Sequence, residues 1–140
     1  MVKWSDYKSK VNEFKKTCGP LESCLSSLAH CDIFGDNKTG FILDVTKTYC
    51  GLVLHVSESS CYDKLEESTC FKEWDGVIAN QEDLDEREKK EACKNYFGKD
   101  GCLREEITRL CGRDKWIEYR DLMIKMNDLL FKHCDLRTIV

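Results

Sequence analysis

Residues 116–134 read WIEYRDLMIKMNDLLFKHC, and the spacing of their apolar side chains decides the fold class. Trp116, Tyr119, Met123, Met126, Leu130 and Cys134 step by three and four, the rotation of an amphipathic α-helix, and Leu122 and Leu129 widen the same face. A strand would alternate at every second residue instead. Immediately upstream, Cys102 to Cys111 reads as a short helix that turns Leu103, Ile107 and Leu110 inward. Gly112 stops it, and Gly98-Lys99-Asp100-Gly101 forms the turn that precedes it.

The same step recurs towards the N-terminus. Trp4, Tyr7, Val11, Phe14 and Cys18 form a stripe with Ser5 as its N-cap, and Gly19 and Pro20 are expected to end that helix. Leu21, Cys24, Leu25, Leu28 and Cys31 continue as a second, short stripe until Gly35-Asp36-Asn37 interrupts it. A third helix follows Thr39 through Ile42, Val45, Tyr49, Leu52, Val53 and Val56, with Cys50 beside the stripe. Between Cys61 and Trp74 the pattern of Cys61, Leu65, Cys70, Phe71 and Trp74 is a weaker helix, closed near Gly76. Gln81 to Lys90 is nearly all charged, yet Glu, Lys and Arg favour helix and the stripe resumes at Ala92, Cys93, Tyr96 and Phe97. That segment therefore reads as a helix with a solvated first half. No Pro-rich or Gly/Ser-rich linker and no internal repeat interrupts the pattern. The expectation is all-α: a single disulfide-stapled domain of five to seven helices over residues 1–140.

The chain has 140 residues, with 22 Lys and Arg against 26 Asp and Glu, a net charge of −4. This balance leaves no basic excess for a phosphate backbone, so nucleic acid is not an expected partner. No apolar run has the length of a membrane span. Ten cysteines stand at Cys18, Cys24, Cys31, Cys50, Cys61, Cys70, Cys93, Cys102, Cys111 and Cys134. Zinc sites and thioredoxin-like sites need cysteine pairs about two to four residues apart. None exists here, so no metal site is expected and the ten read as five structural disulfides in an oxidising compartment. A secreted, extracellular chain follows, taken as mature and without its signal segment. Asn37-Lys38-Thr39 is a glycosylation sequon that fits this reading, with Asn37 as the acceptor. Helix geometry restricts the bridges. Cys102 and Cys111 are turned about half a circle apart and displaced by about 13 Å, so they must staple their helix to two different neighbours. Cys24 and Cys31 are about 10 Å apart along a continuous helix, which excludes their mutual bond under that condition. The other pairings stay open.

The C-terminal third carries a more specific pattern. Ala92-Cys93-Lys94-Asn95-Tyr96-Phe97-Gly98-Lys99-Asp100-Gly101-Cys102, then Ile107, Leu110-Cys111-Gly112, Trp116, Tyr119-Arg120 and Cys134-Asp135, resembles the nematode-specific secreted family known as domain of unknown function 19. The resemblance is best over residues 92–135. It implies a secreted, disulfide-bonded, mostly helical nematode protein, and it supplies no catalytic residue.

Candidate chemistry is sparse. The histidines are His30, His55 and His133, and none stands in a nucleophile or metalloprotease motif. The His-Asp-x-Cys-Cys run of helical secreted phospholipases is missing. Glu82-Asp83-Leu84-Asp85-Glu86 lacks the ligand spacing and central Gly of a calcium loop, and reads as a solvated helix entrance at the favourable end of the dipole. Lys3, Lys8, Lys10, Lys15 and Lys16 make the first helix basic, but Asp6 and Glu13 dilute the patch into a solvated face. Trp116, Tyr119, Met123, Met126 and Phe131 read as core rather than as the lining of a ligand cavity, because a helical domain of this size needs that apolar surface to fold. No catalytic residue and no cofactor is expected. The expected function is that of a secreted, non-enzymatic protein that binds an extracellular protein partner through its surface, in defence or extracellular protein quality control. The alternative is a carrier of lipid or another small molecule in an apolar cavity between helices. Trp4, Phe14, Trp74, Phe97, Trp116 and Phe131 speak against that cavity, being large groups suited to filling an interior.

Overall fold

The computed structural model describes residues 4–28, 38–74, 83–130 and 134–139, with side chains from residue 12 onward. His30, Cys31, Asn37, Glu82, Phe131 and His133 lie outside the described residues. So do the side chains of Trp4, Tyr7, Lys8, Lys10 and Val11. Among the described residues there are six α-helices: α1 (Trp4–Leu28), α2 (Lys38–Glu58), α3 (Thr69–Glu73), α4 (Glu86–Lys94), α5 (Cys102–Cys111) and α6 (Arg113–Leu130). Short 3-10 segments at Ser60–Glu67, Lys99–Gly101 and Leu136–Thr138 complete the described elements, none of which is a strand. The all-α class is thereby established. Within the span, the chain gathers into two units, Met1–Glu58 and Ser59–Val140.

The first unit is the α1–α2 pair. Lys15 meets Glu58 at 3.5 Å and Cys18 is bridged to Cys50, so the two helices run antiparallel. Phe14 packs edge-on to Tyr49 with ring centroids 5.3 Å apart. The sequence placed a helix end at Gly19-Pro20, and the structure corrects this: α1 continues through Pro20 to Leu28. Pro20 removes the hydrogen bond to the carbonyl of Lys16, but both residues are exposed, so the freed acceptor faces water. Ser5 accordingly falls inside α1 rather than capping it. In α2 the buried residues are Thr39, Thr48 and Cys50, while Tyr49 of the expected apolar stripe is exposed. The disulfide moves the packed face towards Cys50, which is fully buried.

The second unit is built round α5. Ser60–Glu67 is a 3-10 segment where a helix was expected, and α3 starts anew after Ser68, whose hydroxyl accepts the N–H of Phe71 at 3.1 Å. Asp85 caps α4 through a reciprocal pair with Glu88, at 2.8 Å and 3.0 Å, and Glu86 and Glu88 stand in the first turn. The charged segment is thus a solvated helix entrance, beginning at Glu86. Tyr96 and Phe97 lie beyond the end of α4, where both are buried. The Trp74 indole N–H donates to the Tyr96 carbonyl at 2.8 Å and ties the end of α3 to that turn.

The core of this unit is aromatic. Phe97 stands edge-on to Tyr96 and to Trp116, each at 5.3 Å, and Tyr119 continues the contact to Trp116 at 6.2 Å and to Tyr62 at 6.3 Å. Leu103 and Ile107 of α5 close it. Burial pushes the hydroxyls of Tyr62, Tyr96 and Tyr119 above their ordinary titration range, and for Tyr62 the nearby Glu118 carboxylate adds to the effect. On α6, Met126 joins the core and Met123 is half-buried, while Leu130 is exposed. Cys134 lies past the helix rather than on its stripe, and buried Asn127 donates to its carbonyl at 2.9 Å.

Candidate functional site

Four disulfides fix the described elements. Cys18–Cys50 joins α1 to α2. Cys61–Cys111 and Cys70–Cys102 tie the two ends of α5 to the Ser60–Glu67 segment and to α3, and Cys93–Cys134 links α4 to the segment after α6. Cys102 and Cys111 therefore reach two different neighbours, as the half-turn between them requires. Cys24 does not carry the bridge expected of it: its thiol is free and exposed. It lies about 100° round α1 from buried Leu25, so it points away from the packed face. Cys31, the other cysteine left without an assigned bridge, lies outside the described residues.

The other sequence-derived candidates are dispersed. His55 is half-buried in α2 and engaged with a neighbour. Thr39 of the sequon is buried in the first turn of α2, just after Asn37. No cluster of three metal-ligating side chains forms among the described residues.

A site that the sequence reading missed lies between α5 and α6. Gly112, at φ 92°, donates to the Thr108 carbonyl at 2.9 Å and accepts the Trp116 N–H at 3.2 Å. One residue thus ends one helix and starts the next. Leu103 and Ile107 turn into the core, so Arg104 and Thr108, each one residue later, emerge at its rim. On α6, Arg113, Trp116, Ile117 and Arg120 follow at i, i+3, i+4 and i+7, which is a single face. These six residues line a groove of about 320 Å³. A larger groove of about 660 Å³ shares Arg104, Thr108 and Trp116 and adds Asp100, Glu105 and Arg109 together with Phe97, Gly101 and Ile139.

Charge is unevenly balanced there. Arg109 is paired with Glu106 at 2.7 Å, and Arg120 donates twice to one oxygen of Asp121, at 2.8 Å and 3.0 Å. Arg104 and Arg113 have no ion pair among the described residues. Trp116, only 4% exposed, is the floor. The signal was present in the sequence as Arg113 and Arg120 seven residues apart astride Trp116 and Ile117, but a search for apolar stripes reads past it.

Comparison with known proteins places the chain. Its residues 2–135 match the family model described as domain of unknown function, DUF19. It is 41% identical over 138 residues to the Caenorhabditis elegans protein "Excretory canal abnormal exc-13", covering 91% of this chain and 67% of that one. Two further proteins of the same organism, UPF0376 protein F10G2.1 and UPF0376 protein C36C5.12, are 40% and 35% identical. Those matches cover 96% and 93% of this chain, and 70% and 63% of the relatives. No solved structure matches the chain significantly. The four disulfides fit an oxidising, extracellular setting, and none of the described helices is long and apolar enough to cross a membrane. The chain belongs to the DUF19 family.

Proposed function

We propose that this chain is a secreted, non-enzymatic binding protein that engages an extracellular macromolecule through its surface, with Asn37 as its glycosylation acceptor. The observation that carries this reading is the contrast in the second unit between a filled aromatic interior and surface grooves that carry charged side chains on their walls. A carrier of lipid or another apolar molecule needs an apolar lining to its cavity. The alternative is weaker here because Trp116, Tyr119 and Met126 are spent on the core and Arg104, Glu105 and Arg109 line the larger groove. Extracellular defence and protein quality control are the settings in which such a binder would act. Native mass spectrometry of the chain released by a eukaryotic secretory host tests the reading. The expected result is the glycosylated chain in the medium with no lipid attached. A stoichiometric co-purifying lipid, or retention of the folded chain inside the cell, would overturn it.

A further inference from the structure

We infer that the groove between α5 and α6 is a site for a tetrahedral oxyanion, a sulfate or phosphate group displayed by a soluble polymer. This deepens the surface-binding reading and rests on it. The polar side chains that line the groove are donors: the guanidinium groups of Arg104, Arg113 and Arg120, and the Thr108 hydroxyl, which also accepts. No carboxylate lines it. Arg120 is already committed to Asp121, whereas Arg104 and Arg113 bring charge that no described residue neutralises. They approach from different helices, so an oxyanion between them would receive charge-assisted contacts from both sides of the groove. Trp116 and Ile117 back the groove with apolar surface, which lowers the local dielectric behind the charges and strengthens those contacts.

A chain with net charge −4 has no general affinity for anions, so binding must come from this local arrangement. A soluble source is favoured over a lipid headgroup because the rim consists of Arg104, Thr108 and Arg113, with no exposed apolar side chain among the lining residues to enter a bilayer.

The test is nuclear magnetic resonance of the isotopically labelled full chain. It is titrated in turn with inorganic sulfate, inorganic phosphate and a sulfated heparin tetrasaccharide, with sodium chloride at matched ionic strength as the reference. Amide shifts should concentrate between residues 104 and 120, and the tetrasaccharide should bind more tightly than either free ion. R104Q/R113Q should weaken binding about tenfold or more while leaving the rest of the spectrum in place. K64Q/K90Q, which removes the same charge at exposed positions outside the groove, should bind as the parent does. Shifts that merely follow sodium chloride, or equal weakening by both double variants, would overturn the proposal. Binding to phosphatidic acid vesicles that is lost in R104Q/R113Q would overturn the soluble source. Failure of the oxyanion to bind would leave the lipid-free state of the secreted chain unchanged, so this proposal and the surface-binding reading fail separately.

Discussion

A methyl group added at Gly98 would sit 2.6 Å from the Cys102 sulfur and 3.1 Å from that of Cys70, in a backbone with φ +85°. The turn before α5 therefore lies directly against a disulfide and uses a conformation that side chains resist. Gly112 has a similar φ of +92°, but open space surrounds it. The pair separates two effects. Gly112→Ala should cost about 1 kcal/mol for conformation alone, and Gly98→Ala about 2–4 kcal/mol because overpacking is added. Urea unfolding of both variants measures the difference. Equal destabilisation would show that the sulfur contact carries no weight. Buried Asn127 belongs to the same scale: its amide holds the Cys134 carbonyl, and although it falls on the stripe four residues after Met123 and three before Leu130, a reading of apolar side chains alone passes over it.

Among the elements, α5 and α6 were the most legible. The short helix was expected at Cys102 to Cys111 and has those bounds, because glycines with positive φ punctuate both ends. Trp116, Tyr119 and Met126 are buried as the three-four step implies. Legibility failed where tertiary bonds override local rules. Pro20 reads as a break, yet α1 passes through it on the solvent side, and Cys50 rather than Tyr49 faces inward because its sulfur is bonded to Cys18. The Arg104 and Arg113 groove was hidden for another reason: it joins two helices, and its residues are polar positions that each helix alone shows to solvent. The aromatic core supplies a prediction in pH. Tyr62, Tyr96 and Tyr119 have hydroxyls raised above their unfolded value of about 10. The unfolded chain therefore loses those protons first as pH rises, and the stability these groups contribute is full below about pH 10 and declines above it. Ultraviolet titration should show their phenolates appearing together with unfolding. Ionisation of all the tyrosines near pH 10 in a chain that stays folded would contradict the buried cluster.

Over the whole molecule, stability depends on where the bridges fall. Cys70–Cys102 lies within the span of Cys61–Cys111, and Cys93–Cys134 crosses both, so the second unit is held by interleaved loops. Their sequence separations are 32, 50 and 41 residues. Loops of this length restrict the unfolded chain by about 4 kcal/mol each when taken singly, and by less than the sum when interleaved. That is comparable to the net stability of a small domain. The arrangement explains how a surface rich in charge coexists with a modest core, and it holds the two helices that frame the arginine groove. Both the stability and the groove depend on the bridges around α5, which peptide mapping of the oxidised chain without reduction reads out. Linked peptides should join Cys61 to Cys111, Cys70 to Cys102, Cys93 to Cys134 and Cys18 to Cys50. Recovery of Cys102 or Cys111 joined to any other cysteine, or as free thiols in the folded secreted chain, would contradict this pattern.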